Sequence, residues 1–261
     1  MKLVDAHIHL ADPEYADKID ALIADANAAE VSAMVANSMN LETSLKTLSL
    51  SEKYPNKVYA AFGIHPWNVR TLTEKELEEV VRLIESRHHE KAVVAIGEVG
   101  LDSKYEEVWE KQLEVFDKML RLAERYDLPV IVHSRGTTSF IVEMLPSYNV
   151  KRVLLHWFSH PMNALSKAME QGYFITEGPP VVYSNGIRQV VAKVSMGNFL
   201  TETDGPVVYR KTPFNGQMTK PSFVRMVVEA VAQIRHMSPI EVSEQIRHNF
   251  EEFFRVKVDG K

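Results

Sequence analysis

What most constrains this chain is a unit that recurs eight times: a short apolar, β-branched or alanine-rich run, a polar turn, and an amphipathic stretch of helical period. The runs are LVDAH (3–7), SAMVAN (32–37), VYAAFG (58–63), AVVAIG (92–97), PVIVH (129–133), RVLLH (152–156), YFIT (173–176) and NFLTETD (198–204). Helical patterns separate them, among them EYADKIDALIADANAAE (14–30), TEKELEEVVRLIESR (73–87) and VWEKQLEVFDKMLRLAERY (108–126). In the last of these Leu113, Phe116, Leu120 and Ala123 recur at steps of three and four, which gathers them on one face. Short strands apolar on both faces, alternating with one-sided helices, imply a parallel sheet covered by helices. Eight of them predict closure into a (β/α)8 TIM barrel. The competing arrangement, an open doubly wound sheet, usually carries a glycine-rich phosphate loop after its first strand, where this chain has HIHLADP. Two more helices, at 220–236 and 239–255, finish the chain, the second opened by Ser238 as N-cap and Pro239 at its first position. With no Gly/Ser-rich linker or low-complexity tract to divide it, the whole of 1–261 is expected to form one domain with an extra C-terminal helix.

Composition matters here for what it excludes. A net charge of −5 gives no global field toward nucleic acid or anionic lipid, so any polyanion must be met locally. The absence of cysteine removes disulfides, thiolate nucleophiles and Cys-ligated zinc. No apolar run approaches the roughly 18 residues of a membrane span, and the chain starts without a leader-like pattern, so a cytoplasmic location is expected.

In a closed barrel the active site is built at the C-terminal ends of the strands. Here the first strand ends in Asp5, His7 and His9, the third runs into Gly63 and His65, and the fourth into Glu98. The fifth ends in His133, the sixth in His156, and the eighth in Glu202 and Asp204. A lone histidine in such a place is usually a core residue satisfied by backbone. Many together are different, because each buried polar group left unsatisfied costs about 1–3 kcal/mol and clustered carboxylates repel. A divalent cation offsets both penalties. His7 and His9, two apart on an extended strand, point the same way and can chelate one ion. Imidazole with carboxylate suits Zn²⁺, Mn²⁺ or Fe²⁺, and Mg²⁺ where more oxygen and water join. Glu98, Asp204 and the histidines at 7, 9, 133 and 156 are more candidate ligands than one open catalytic ion uses, which favours two ions roughly 3.5–4 Å apart.

VDAHIHL (4–10), GIHP (63–66), GEVGLD (97–102), HSR (133–135), LHWFSH (155–160) and TETDGP (201–206) resemble, in order, the signature segments of the TatD family of metal-dependent hydrolases, a branch of the amidohydrolase-like barrels. Gln112 and the terminal NFEEFF (249–254) extend the resemblance over essentially the whole chain. It implies a divalent-metal barrel that hydrolyses DNA phosphodiesters, some relatives acting instead on D-aminoacyl-tRNA esters. Carried onto matching positions, it makes His7, His9 and Asp204 ligands of one ion and His133 and His156 ligands of the other, with Glu98 bridging. It also places His65 near the substrate phosphate. Asp5 and Glu202 are expected to orient ligands. Arg135 either meets a phosphate bidentately or sits in a structural ion pair. The chain departs from the family pattern at Ser103 and Lys104 after GLD, at GTTS (136–139), at Trp157 and His160, and at Met218-Thr219-Lys220-Pro221. All of these border the region where substrate would lie.

The expected function is therefore a deoxyribonuclease acting on DNA ends or short single strands with two divalent ions (Mg²⁺, Mn²⁺ or Zn²⁺). A water with its pKa lowered toward about 7 would attack phosphorus, Asp204 and Glu98 would serve its activation, and His65 would hold substrate oxygens. Trp67, Trp157, Phe158, Tyr183 and Tyr209 are candidate stacking faces, and Arg188, Arg210, Lys211 and Lys220 candidate local positive charge. No obligate protein partner is implied. The alternatives are a metal-dependent amidohydrolase or esterase, such as a D-aminoacyl-tRNA deacylase, and a non-catalytic metal-binding protein. Because ligating imidazoles must be neutral, occupancy is expected to fall below about pH 6.

Overall fold

The computed structural model describes residues 1–159 and 162–258. His160, one of the departures noted above, lies outside the described residues. Eight strands follow one another in chain order around one sheet: β1 Leu3–Ile8, β2 Val31–Asn37, β3 Val58–Phe62, β4 Val93–Gly100, β5 Val130–His133, β6 Val153–Leu155, β7 Phe174–Glu177 and β8 Phe199–Thr201. Each pairs in parallel with the next. The return paths are helices: α1 Ile19–Ala28, α2 Leu41–Lys53, α3 Glu74–Arg87, α4 Trp109–Tyr126, α5 Thr138–Met144, α6 Met162–Glu170, α7 Asn185–Lys193, α8 Phe223–Arg235 and α9 Pro239–Phe254. This is the (β/α)8 barrel that the alternation predicted.

Closure between β8 and β1 runs through specific bonds rather than a long ladder. Thr201 Oγ1 donates to Val4 O at 2.9 Å, Asp204 N to His7 O at 3.0 Å, and His9 N to Gly205 O at 2.8 Å. The seam thus brings the segment after β8 against the two histidines of the first motif. α9 locks it from outside: Asn249 Nδ2 donates to the carbonyls of Met196 at 2.7 Å and Phe199 at 2.8 Å, while Ile246, Phe250 and Phe253 are buried. The α9 N-terminus carries the expected Ser238 cap, completed by Glu241, whose carboxylate accepts from Ser238 N at 2.8 Å.

The first helix is shorter than its periodicity suggested. Asp12 accepts from Glu14 N at 2.8 Å and caps a separate 3-10 turn at Pro13–Tyr15, and the α-helix begins only at Ile19. Tyr15 is thereby freed to donate to Thr219 O at 2.6 Å. α8 begins at Phe223, after Pro221 and Ser222, three residues later than read from the pattern. The long connection from β8 to α8 holds its own small core, Tyr209, Phe214 and Phe223 packed with Trp157, Val182 and Tyr183. Among the described residues no helix is long and apolar enough to cross a membrane.

Candidate metal centre

The centre is organised by Glu98. β4 runs three residues beyond the expected end at 97 and carries Glu98 within it, at an irregularity in the β4–β5 register between Ile96 and Val99. Glu98 N donates to Ser38 O at 2.9 Å, which fixes the backbone here. The two carboxylate oxygens then face two different nitrogen clusters. Oε2 lies 3.3 Å from His7 Nε2 and 3.1 Å from His9 Nε2. Oε1 lies 2.8 Å from His133 Nδ1, 2.7 Å from His156 Nε2 and 3.1 Å from His65 Nε2.

The first cluster is completed by Asp204, whose Oδ1 is 3.4 Å from His7 Nε2 and 3.5 Å from His9 Nε2, with the two nitrogens 3.2 Å apart. Glu98 Oε2, Asp204 Oδ1 and the two Nε2 atoms thus gather at contacts of 3.1–3.5 Å. For ligand bonds of 2.0–2.1 Å, the edge of a tetrahedron is about 3.3–3.4 Å, so the spacing fits donors around a cation. Two buried ring nitrogens, His7 Nδ1 and His156 Nδ1, lack any hydrogen-bond partner, on rings stacked 4.0 Å apart. His156 Nδ1 does approach Glu202 Oε2 to 3.5 Å, in a geometry that makes no hydrogen bond.

Hydrogen bonds on the far side of three rings fix which nitrogen faces the centre with a lone pair. His9 Nδ1 is 3.1 Å from Asn37 O, and a carbonyl only accepts, so Nδ1 carries the hydrogen and Nε2 is the ligating atom. His133 Nε2 lies 3.0 Å from Asp102 Oδ2, which leaves Nδ1 to face Glu98. His65 is the reverse: its Nδ1 accepts from Trp67 N at 3.1 Å, so a neutral ring keeps its only hydrogen on Nε2. Although His65, Glu98 and His133 are spaced closely enough to hold an ion, His65 therefore enters as an N–H donor rather than as a lone pair.

Charge in the cluster follows from burial and proximity. Burial alone would raise Glu98, but the imidazoles around it outweigh that and hold its carboxyl well below the usual range. Asp204 is likewise held low, burial being outweighed by hydrogen bonds from His7 and His9. Burial works against a charged His9, yet Asp204 and Glu98 raise it to about 10. His156 is raised well above its ordinary value by Glu98 and Glu202 against the same burial. His65 goes the other way, to about 4, chiefly through burial. His9, which faces both carboxylates, holds a proton that a divalent cation would replace, and the donor set of imidazole nitrogen and carboxylate oxygen suits that exchange.

Of the supporting residues, Glu202 and Arg135 fall within expectation and Asp5 departs from it. Among the described residues Asp5 bonds to no imidazole. Its carboxylate accepts from His7 N at 3.2 Å, Thr203 N at 3.1 Å and Thr203 Oγ1 at 2.5 Å, tying β1 to the segment that bears Asp204, and burial pushes it up to about 8. Glu202 accepts from Thr176 Oγ1 at 2.5 Å beside His156. Arg135 forms the ion pair: its Nε is 3.0 Å from Asp102 Oδ1 and an Nη 2.8 Å from Asp102 Oδ2, with the guanidinium 5.5 Å above the Trp67 ring. Sequence reasoning missed Asp102 itself. It receives bonds from His133, Arg135 and, at 2.6 Å, Trp67 Nε1, and these hold its carboxyl well below the usual range despite burial. The available signal was Gln112, whose side chain accepts from Asp102 N at 2.8 Å and donates to Asp102 O at 3.2 Å, pinning that residue across ten positions. β7 also ends in a carboxylate, Glu177, one residue past the expected run. It is fully buried, neither oxygen has a hydrogen-bond partner, and burial raises it well above its ordinary value.

Above the cluster opens a cleft of ≈670 Å³. Of the five candidate stacking residues, Trp67 and Trp157 line it, whereas Phe158 is fully buried and Tyr183 and Tyr209 belong to the small core under the β8–α8 connection. Arg188, Arg210, Lys211 and Lys220 are not among its lining residues, and Arg135 is the one arginine that is. Rim loops with their own packing, not visible as periodicity, decide which side chains turn toward the cleft.

A family model described as TatD related DNase matches residues 4–255. The uncharacterized metal-dependent hydrolase YabD of Bacillus subtilis is 31% identical over 263 residues, covering 97% of this chain and 99% of that one. The human deoxyribonuclease TATDN3 is 30% identical over 258 residues, covering 95% and 92%. The crystal structure of YjjV, a TatD homolog from Escherichia coli K12, matches with a TM-score of 0.91 at 30% identity, over 98% of each chain.

Proposed function

The chain belongs to the TatD family of metal-dependent hydrolases, and from that premise we propose that it is a phosphodiesterase acting on DNA with two divalent ions. The observation that carries this reading is Glu98, whose oxygens are divided between two nitrogen clusters. His7, His9 and Asp204 would hold one ion and His133 and His156 the other, with Glu98 near both. Divalent cations at these positions would supply a water of lowered pKa and neutralise charge developing on the phosphoryl oxygens.

The remaining roles fall to the protein's own groups. Asp204, ionised at neutral pH and lining the cleft, accepts the proton of the attacking water. His65, neutral at that pH with its hydrogen on Nε2, lies 3.1 Å from Glu98 Oε1 and gives up that contact to donate to a non-bridging phosphate oxygen. Arg135 has two of its N–H groups on Asp102, so only its remaining edge is offered to substrate. Asp5 and Asp102 act through others, Asp5 by setting the backbone of the first motif and Asp102 by holding the His133 ring.

The test is metal analysis of the purified protein joined to side-by-side turnover of an oligodeoxynucleotide, bis-p-nitrophenyl phosphate and a panel of amides and carboxylic esters. Two ions per chain and hydrolysis of the phosphodiesters, lost in Asp204→Asn, are expected. Turnover confined to the carbonyl compounds would make it an amidohydrolase or esterase and overturn the proposal.

A further inference from the structure

The cleft is closed below by the metal-ligating cluster, and its volume falls among single small-molecule sites, about 300–1,000 Å³. Its walls are largely apolar, from Met39, Trp67, Trp157, Pro206, Val207 and Val208. At its mouth stand two carboxylates, Asp12 and Glu14. Asp12 is held there as the cap of the Pro13–Tyr15 turn. Among the described residues no ion pair engages the Glu14 carboxylate; nearby Lys18 donates to the Glu14 carbonyl at 2.7 Å and pairs with Asp17 at 3.2 Å.

A protein that grips a strand along its backbone lines the path with cations. Here no lysine, and no arginine but Arg135, is among the described residues that line the cleft. Lys220 pairs with Asp25 at 3.1 Å, Lys211 lies 5.3 Å over the Tyr183 ring, and Arg188 donates to Val181 O at 3.3 Å. Arg135, the arginine in the cleft, is paired with Asp102. A phosphate beyond the scissile one therefore leaves the cleft past two negative charges, with no unpaired cation among the described residues that line it.

Resting on the phosphodiesterase reading above, we infer that the cleft is built for a short phosphodiester of dinucleotide scale, and that Asp12 and Glu14 select against longer strands. One base fits among the apolar walls that Trp67 and Trp157 help to line, and the bond to the next nucleotide sits over the cluster. Each further nucleotide adds a phosphate within a Debye length, about 8–10 Å, of the rim carboxylates. The selection is electrostatic and weakens as salt rises.

The experiment compares kcat/KM for single-stranded oligodeoxynucleotides from a dinucleotide to a 20-mer, at low and high salt, for the metal-loaded protein and for the double variant Asp12→Asn, Glu14→Gln. Asn keeps the cap, since its side chain accepts the same backbone hydrogen bond. Calorimetric Kd values for phosphorothioate-linked dinucleotide and 20-mer provide a readout apart from turnover. For the natural chain kcat/KM is expected to fall with length at low salt. In the variant the ratio of 20-mer to dinucleotide should rise, in kcat/KM and in affinity, on the order of threefold at low salt and less at high salt. A preference for long strands in the natural chain, or a ratio unmoved by the variant, would overturn this inference while leaving a phosphodiesterase standing. Failure to cleave any length would overturn the phosphodiesterase reading and this inference with it.

Discussion

At the scale of single residues, the site shows which kinds of placement a sequence exposes. His7, His9, His133 and His156 were readable because each interrupts or ends an apolar strand, where a polar side chain needs a reason. Asp102 escaped because it follows a strand within GEVGLD, and its importance lies in partners brought from elsewhere, His133 at 3.0 Å and Arg135 at 2.8 Å. Its position outside the donor cluster gives a distinct prediction. Asp102→Asn should weaken binding of the second ion by about 10–100-fold, as loss of a carboxylate behind a ligating imidazole does, and leave the first ion bound. Metal stoichiometry over a titration checks this, and an equal loss at both positions would mean a merely structural role. Proton competition is the second residue-level outcome. Burial opposes charge on His9, but Asp204 and Glu98 raise it to about 10. Below that pH the metal-free ring holds a proton that must leave before Nε2 can ligate, so apparent metal affinity falls as pH falls. The dependence starts well above the pH of about 6 expected for isolated imidazoles, because two carboxylates face the ring. Calorimetry of Mn²⁺ or Zn²⁺ binding near pH 7 and near pH 9, in buffers of different ionisation enthalpy, should show proton release and tighter binding at the higher pH. Binding without proton release would mean that the ring is already neutral.

At the scale of elements, all eight strands and the long helices α3, α4 and α9 were legible, because apolar runs and one-sided helices have different periods. Their ends were less so. Glu98 proved to lie inside β4, and the first helix lost its opening turns to a capped 3-10 turn, since local side-chain bonds such as that of Asp12 compete with helix propensity. The Asn–Phe segment of α9, visible only as a family likeness, has a physical role in the structure: Asn249 caps no helix but supplies two hydrogens to the carbonyls of Met196 and Phe199, at the entrance to β8. Asn249→Ala leaves the buried Phe199 carbonyl and the partly buried Met196 carbonyl without that donor, and should cost about 2–6 kcal/mol at about 1–3 kcal/mol per unsatisfied group. Urea denaturation measures it. Asn249→Asp, which keeps the shape but not the donating N–H groups, should be destabilised as well; stability like that of the natural chain in this second variant would remove the hydrogen-bond explanation. Since β8 leads directly to Asp204, both variants should also bind metal less tightly.

Over the whole molecule, net charge was readable but its distribution was not. The sum of −5 predicted that a polyanion would need a local basic patch, yet the residues nominated for it are not among those lining the cleft, and three of them, Arg210, Lys211 and Lys220, lie on the β8–α8 connection that folds around Tyr209, Phe214 and Phe223. The barrel's closure likewise depends on the centre. Candidate ligands come from β1, β4 and β5 and from the segments after β6 and β8, so ions held among them would tie together strands from around the ring. In the metal-free state close imidazole–carboxylate contacts hold Glu98 and Asp204, which lets the barrel fold without ions but less firmly. An ion that binds only the folded chain adds about 2.7 kcal/mol when its free concentration is a hundred times its Kd. For a chain of this size each kcal/mol moves Tm by about 2–4 °C, so each occupied position should raise Tm by roughly 5–10 °C. Tm should climb with the logarithm of free Mn²⁺ or Zn²⁺ and return to its metal-free value on chelation. The same titration on Glu98→Gln, which removes the shared charge from both clusters, should be nearly flat. A Tm indifferent to chelator in the natural chain would mean that the cluster is held by its own hydrogen bonds and that the ions do not brace the barrel.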